Sequence, residues 1–187
     1  PQTVGADDLL LMIPVTVRAG ANDKEDRGAA DVDRAIRFAL AELYLKQELG
    51  RAAEKELLQA RQLGLDEDRV GPPLGEALLL SHDYKRVLEL VNPAAAKTLE
   101  KRADMLRIHA DAQLGLGQVD LACTQYKEAL NLDANLAAAY WGLARCARIR
   151  EGVEAARAMY GKALALNPNN ARTRVERVHY FHHSDAG

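Results

Sequence analysis

The sequence predicts an all-α protein in which antiparallel helical hairpins stack into a superhelical solenoid. Residues 103–136 align with residues 137–170 at an offset of 34, a period typical of two-helix repeats. Alanine is abundant and aromatic residues make up only 5% of the chain, which favours closely packed helices over a sheet sandwich. Small residues also recur at one position of each hairpin, with steps of 34, 35, 34 and 34. These recurring residues are Ala41, Gly75, Ala110, Ala144 and Val178.

The repeat divides the chain into units. The array is predicted to cover residues 34–187, and a segment at 1–33 that does not repeat precedes it. Because each hairpin contributes two helices, at least nine helices are expected from residue 31 onward. A generic helical bundle is the alternative, but such a bundle would not keep one register over five steps. The predicted units are residues 34–67, 68–102, 103–136 and 137–170, followed by a last helix at 171–183.

The second helices carry alanines where two helices must cross and a tyrosine where a large side chain fills the gap between them. We therefore expect these alanines to be buried at helix crossings. One extra residue falls near Asn92 and Pro93, where proline is expected to truncate the second helix of the 68–102 unit. The matched pairs are Ala122 with Ala156, Tyr126 with Tyr160, and Ala129 with Ala163.

Glycine and proline mark the expected ends of helices. Gly64 is the predicted C-cap of one helix, and Gly117 is the predicted turn between two others. Pro72 and Pro73 are placed in the first turn of a helix, which is the position that tolerates proline. The fourth hairpin is expected to end at Asn167, Pro168 and Asn169.

Residues 1–33 contain an apolar run at 9–17 that is too short to span a bilayer as a helix. The small residues at 19–21 are of the kind that follows the apolar core of an export signal. Asp7 and Asp8, however, stand where such a signal carries positive charge. Three readings stay open: a remnant export signal, a hydrophobic strap packed on the first hairpin, and an irregular chain end.

The join between this segment and the repeats is predicted to be a polar linker. Residues 22–28 are mostly charged, and they end in glycine. Asp31 or Asp33 is then expected to cap the first repeat helix, because a carboxylate oxygen accepts hydrogen bonds from the unpaired N–H groups of a first turn.

The charge of the chain gives little reason to expect nucleic acid as a partner, since the formal net charge is −2. The charge is uneven, because residues 137–187 hold eight Lys and Arg residues against four acidic ones. This basic end would attract acidic partners, or it is simply a solvated helix face. Cys123 and Cys146 lack the spacing of metal ligands, and they are interpreted as buried small side chains or, alternatively, as a bridge between neighbouring hairpins.

No motif for catalysis or for a cofactor is found in the sequence. It contains no glycine-rich phosphate loop, no nucleophile elbow and no pair of CxxC motifs. His179 and His183 would share one face of a helix and, with His182, are the strongest metal candidates. A solvated helix end is the preferred interpretation of these histidines. The sequence therefore predicts a non-enzymatic protein with no cofactor and no metal.

The period of 34, with small, aromatic, small and proline residues in that order, resembles the tetratricopeptide repeat (TPR) family. The resemblance implies a right-handed superhelix whose first helices line a concave groove, and it implies that the groove takes a peptide of a partner protein. Side chains one helical turn from the small positions are then expected to face the groove. These are Phe38, Glu42, Leu45, Glu76, Leu79, Arg107, Asp111, Trp141, Arg145, Arg148, Arg172 and His179.

Trp141 is the sharpest candidate for a binding anchor. Its neighbour Tyr140 occupies the usual aromatic packing position, so the indole is expected to lean toward the groove beside Arg145. Trp and Arg are the side chains most enriched at binding hot spots. The alternative is that Trp141 is buried between adjacent hairpins.

Two features of the sequence bear on the kind of TPR protein. Some TPR modules clamp a C-terminal carboxylate with Lys and Asn, whereas the corresponding faces here carry Glu42, Glu76 and Asp111 and disfavour such a clamp. Residues 40–57, 75–90 and 110–122 are similar to bacterial TPR lipoproteins of the exosortase/PEP-CTERM system, although the lipobox cysteine is lacking.

That resemblance implies a scaffold in envelope or exopolysaccharide export, in the bacterial periplasm or envelope. A cytoplasmic TPR adaptor or co-chaperone is the alternative. The sequence leaves both membrane association and oligomeric state open.

Overall fold

The structure, a computed structural model, describes residues 23–168, with side chains from residue 28. This part of the chain is built from α-helices and contains no strand, as the sequence predicts. The last predicted helix, together with Arg172, Val178 and the three histidines, lies outside the described residues, and so does the apolar run at 9–17. The helices are α1 (Asp23–Lys46), α2 (Gly50–Gln62), α3 (Glu67–Leu80), α4 (Tyr84–Leu90), α5 (Leu99–Gly115), α6 (Val119–Leu132), α7 (Ala137–Glu151) and α8 (Val153–Leu166).

The eight helices pair in chain order as four hairpins. Each odd-numbered helix packs against the next even-numbered one, and α2, α4 and α6 also pack against the first helix of the following hairpin. The first helices form a continuous row, because α1 contacts α3, α3 contacts α5 and α5 contacts α7. Contacts between neighbours in sequence are the mark of a solenoid and are not expected of a generic bundle.

The core of the solenoid is built on small residues at the predicted positions. Ala41, Ala110 and Ala144 are fully buried, and Gly75 is so closely packed that a Cβ atom would lie 2.5 Å from Ile108 Cγ2. The predicted burial of four alanines on the second helices is confirmed. These are Ala122, Ala129, Ala156 and Ala163, none of which is more than 3% exposed.

The predicted truncation of the second helix in the 68–102 unit is confirmed in α4, which has only seven residues. A short helix leaves carbonyl groups unpaired at its C-terminal end. Arg61 Nη2 donates to the Leu90 carbonyl at 2.9 Å, and His109 Nε2 lies 2.6 Å from the Val91 carbonyl. Burial lowers the pKa of His109, which favours the neutral ring beside this carbonyl. Side chains of adjacent helices thus complete the shortened turn.

The predicted polar linker at 22–28 is wrong, because α1 is already helical from Asp23. Lys, Glu and Arg are good helix formers, and adding residues to an existing helix avoids the cost of nucleation. The expected caps are wrong for the same reason. Asp31 lies inside α1 and pairs with Arg34 at 2.8 Å, while Asp33 pairs with Arg37 at 3.1 Å.

The predicted place of Pro72 and Pro73 in a first helical turn is also wrong. Both lie inside α3, which begins earlier, at Glu67. Each proline removes one hydrogen bond to a carbonyl four residues before it, and those carbonyls belong to Asp68 and Arg69. Because these two residues lie in the first turn of α3, the loss falls at the helix end. The helix continues for seven residues beyond Pro73.

The predicted turns at Gly64 and Gly117 are confirmed. Both have a positive φ, 86° at Gly64 and 77° at Gly117, which glycine adopts without a steric cost. The two cysteines are free and buried, in agreement with their interpretation as small core side chains. Burial raises the pKa of the Cys146 thiol, so the protonated form is favoured there.

Candidate functional site

The first helices α1, α3, α5 and α7 carry the predicted groove residues on adjacent elements. These helices contact one another in a row. The surface of this row that carries the predicted groove residues is called the wall. Arg172 and His179 lie outside the described part of the chain. The others are Phe38, Glu42 and Leu45 on α1, Glu76 and Leu79 on α3, Arg107 and Asp111 on α5, and Trp141, Arg145 and Arg148 on α7.

The centre of this wall is an ion-pair network around Arg107. The Arg107 guanidinium donates to Asp104 at 2.8 Å, to Asp111 at 2.9 Å and to Glu76 across the α3–α5 contact. The Arg107 side chain is only 8% exposed, so it is not the open groove residue that the sequence predicts. The surrounding carboxylates keep its pKa well above the usual value although burial opposes this. Arg107 therefore joins two hairpins rather than presenting a free charge.

Asp111 connects this network to the next hairpin. Its Oδ1 atom accepts a hydrogen bond from the Tyr126 hydroxyl at 2.6 Å and lies 3.5 Å from Arg145 Nη1. Burial raises the pKa of Tyr126, and the charge of Asp111 and the hydrogen bond to it act in the same direction. Four predicted groove residues, Glu76, Arg107, Asp111 and Arg145, thus form one chain of contacts across α3, α5 and α7.

Trp141 lies at the C-terminal end of the wall and packs on Tyr160 of α8. The ring centroids are 4.7 Å apart with the planes at 59°, and Ala147 and Met159 belong to the same apolar cluster. The indole is half-buried. It is therefore neither fully open to the groove nor fully buried between hairpins, which are the two placements that the sequence left open. Its neighbour Tyr140 is half-buried as well, with Lys162 Nζ 5.4 Å from the ring centroid.

The N-terminal end of the wall is more apolar. Phe38, Leu45 and Leu79 are half-buried and pack against the core of the first two hairpins. The Arg69 guanidinium lies 4.9 Å from the centroid of the Phe38 ring. Glu42 is exposed beside them. The wall therefore changes from apolar and acidic near α1 to aromatic and basic on α7.

The structure of this chain is similar to the crystal structure of YrrB, which is described as a TPR protein with an unusual peptide-binding site. The match has a TM-score of 0.52 and covers 77% of this chain and 74% of YrrB, with 16% sequence identity. No protein-family model matches the sequence, and no curated protein matches it. The fold is that of a TPR solenoid. At this identity the likeness concerns the fold alone.

In residues 23–168, no group of three or more His, Cys, Asp or Glu side chains could hold a metal ion. Among the carboxylates of the wall, Glu76 and Asp111 are tied to Arg107, and Asp111 also pairs with Arg145, which suits structural cohesion better than proton transfer. Within the same range no helix combines the length and apolar character needed to cross a membrane.

Two residues of this TPR solenoid, Asp104 and Gly142, make contacts that the sequence did not predict. Asp104 completes the charge shell of Arg107, and a Cβ atom on Gly142 would collide with the Tyr126 ring. The i, i+3 spacing of Asp104 and Arg107 was a signal for the first. No local signal marked the second, because the contact joins α6 of one hairpin to α7 of the next.

Proposed function

We propose that this chain is a non-enzymatic scaffold that binds a peptide segment of a partner protein on the wall formed by its first helices. The observation that carries the proposal is the continuous row of α1, α3, α5 and α7, which presents side chains from four hairpins on one surface. A long surface assembled from repeats suits an extended ligand better than a small molecule. The likeness to a peptide-binding TPR protein supports the same function.

The α7 end of the wall supplies the proposed anchors. Trp141 and Arg145 are both partly exposed, and the Arg145 side chain is 36% accessible. Among the described residues, Arg145 has one ion pair, of 3.5 Å to Asp111, so an acidic side chain of the ligand could compete for it. An apolar ligand residue would pack on the indole. The preferred peptide therefore combines an apolar residue with a nearby acidic one.

Peptides selected from a random phage-displayed library provide the ligand for the test. Trp141 is the only tryptophan in the chain, so its fluorescence reports directly on this end of the wall. Trp141→Ala is expected to weaken binding of a selected peptide by at least about 2 kcal/mol, roughly 30-fold, measured by calorimetry. Leu121→Ala, at a 55% exposed position on the second helix α6, is the matched control and should leave the affinity unchanged.

Stability must be measured on the same Trp141 variant. The indole is half-buried against Tyr160, so we expect a loss of about 1–3 kcal/mol in the free energy of unfolding, less than for a fully buried aromatic. Binding is therefore compared at a temperature at which both proteins are folded. Unchanged affinity under that condition would refute the anchor, and equal losses with Leu121→Ala would refute the wall as the binding surface.

The cellular setting belongs to the same proposal and is supported by the sequence resemblance alone. We place the scaffold in the bacterial envelope, in a pathway that accompanies exopolysaccharide export. The alternative is a cytoplasmic adaptor or co-chaperone, against which the exposed Glu42 weighs, since its charge repels a carboxylate tail. Exosortase or polysaccharide genes beside the coding gene, with the protein in the envelope fraction, are expected. Recovery in the cytoplasm beside chaperone genes would favour the alternative.

A further inference from the structure

One face of α1 carries large apolar side chains that are open to solvent. Val32 and Ile36 are each 59% exposed, and Leu43 is 54% exposed. Together with the exposed Ala39 they follow the i, i+4, i+7 and i+11 spacing that places side chains on one face of a helix. A helix of a globular protein normally turns such a stripe toward other residues.

The repeat register shows what this face does in the other hairpins. The residues equivalent to Ile36 and Leu43 in α3, α5 and α7 are at most 2% exposed. Exposure at these positions is therefore particular to α1. The equivalents of Ile36 are Val70, Met105 and Ala139, and those of Leu43 are Ala77, Ala112 and Cys146.

In the later hairpins this face receives helices of the preceding hairpin. Met105 of α5 packs so tightly on Gly71 of α3 that a Cβ atom there would lie 2.5 Å from Met105 Cε. Gly142 of α7 lies in the same way against the Tyr126 ring of α6. In the later hairpins this face of the first helix therefore packs against another helix. In the described residues, no helix lies on this face of α1, because the contacts of α1 are with α2 and α3.

We propose that a second copy of this chain covers the face, with the two α1 helices packed antiparallel about a two-fold axis near Ala39. In this arrangement Ile36 of one copy lies opposite Leu43 of the other, because the two residues lie at similar distances on either side of Ala39. Ala35 and Ala39 are small and exposed, so they allow the two helices to approach closely. The stripe is therefore complementary to itself, as an isologous interface requires.

The charges at the two ends of the stripe fit the same arrangement. Asp31 lies near one end, and its side chain is 63% exposed. Lys46 is exposed at the other end, in the last turn of α1. When the helices are antiparallel, Lys46 of one copy approaches Asp31 of the other on the same flank of the interface. A parallel arrangement would place like charges together at each end.

The size of the surface sets the expected strength. One helix packed on one helix buries less than the roughly 800 Å² per partner of a standard stable interface. We therefore expect a reversible dimer with a dissociation constant on the order of 10 µM. The face is separate from the peptide anchors at Trp141 and Arg145, so dimerisation does not depend on the proposed peptide binding.

Sedimentation velocity of the 187-residue chain without peptide, from about 1 to 200 µM, tests the proposal. The wild-type protein should shift from monomer to dimer, and Ile36→Glu and Leu43→Glu should each raise the dissociation constant at least tenfold. Ile149→Glu, at a 54% exposed position on α7, and Leu121→Glu on α6 are matched controls that should dimerise normally. Circular dichroism would verify that each variant is folded.

A cross-link tests the antiparallel geometry. Ala39→Cys lies next to the two-fold axis and should give a covalent dimer under mild oxidation, whereas Ala158→Cys, exposed on α8, should not. A wild-type protein that stays monomeric at 200 µM would overturn the proposal, whether the face is open or covered by residues 9–17. Equal loss of dimer in the control variants would place the interface elsewhere. Dimerisation without an Ala39→Cys cross-link would overturn the antiparallel arrangement.

Discussion

The third and fourth hairpins use the same scaffold to hold different groove chemistry. Arg107 and Trp141 occupy one equivalent position, 34 residues apart, and Asp111 and Arg145 occupy another. In the third hairpin the position holds a guanidinium that is 8% exposed and surrounded by carboxylates. In the fourth it holds a half-buried indole packed on Tyr160.

The comparison separates the residues that pack the helices of each repeat together from the groove residues, which differ between repeats. Ala110 and Ala144 are fully buried in the two hairpins, and Tyr126 and Tyr160 fill equivalent gaps. These residues set the distance between helices, so they leave little room for change. The groove positions differ in their contacts, because Arg107 pairs with Glu76 of the preceding first helix whereas Trp141 packs on Tyr160 of α8 in its own hairpin. The third hairpin is therefore expected to be the more sensitive to loss of a charge.

The largest effect is expected from Arg107→Ala. Removing this guanidinium leaves Glu76, Asp104 and Asp111 close together without their shared cation, and breaking a buried ion pair from one side typically costs about 3–5 kcal/mol. Urea denaturation measures the change in the free energy of unfolding. Arg145→Ala is the counterpart in the fourth hairpin. Its partly exposed, 3.5 Å pair should be worth at most about 1 kcal/mol. Equal losses for the two variants would remove the distinction between the hairpins.

A smaller loss is expected where the third and fourth hairpins meet. Gly142→Ala adds a methyl group that collides with the Tyr126 ring, and overpacking of this kind costs about 1–3 kcal/mol. Gly161→Ala is the matched control on α8, because no neighbouring atom of the described residues lies within 4 Å of its added Cβ. The control should gain about 0.5–1 kcal/mol from helix propensity. Thermal and urea unfolding of both variants measure these changes. A neutral Gly142→Ala would contradict the close packing of α7 on α6.

The smallest effect is expected from Tyr126→Phe, and it should depend on pH. Losing the hydroxyl's hydrogen bond to Asp111 should cost about 1–2 kcal/mol at neutral pH. The pKa of Tyr126 is raised in the folded protein, whereas an unfolded tyrosine titrates near about 10. The contribution of the hydroxyl is therefore complete below about pH 10 and is lost as the pH rises beyond it.

Urea titrations between about pH 8 and pH 11 test this sign. The stability difference between the wild type and Tyr126→Phe should shrink as the pH rises, because only the wild type must keep this phenol protonated. A difference that is constant over the range would mean that Tyr126 titrates alike in the folded and unfolded chains. A difference that grows would reverse the sign and contradict the buried hydrogen bond to Asp111.

The repeat, the small core residues and the short α4 follow from the amino-acid sequence alone, because these features depend on spacing along one chain. Alanine at 122 or 156 is required wherever two helices cross, and a proline stops a helix without regard to distant residues. Local signals were less reliable at helix starts. The charged residues before Gly28 suit a linker or a helix equally, and the helix that follows them decided between the two.

The burial and the ion pairs of the groove residues depend on contacts between helices that lie far apart in sequence. Arg107 meets Glu76 across 31 positions of sequence, and Asp111 meets Tyr126 across 15. A helical wheel places each side chain on a face but does not state which neighbours neutralise it there. Burial and pairing arise when adjacent first helices come into contact, so one repeat position is exposed at Glu42 in α1 and half-buried at Asp111 in α5. The repeat spacing can therefore be read from the sequence, whereas the pairing of the charged groove residues arises only when the helices stack.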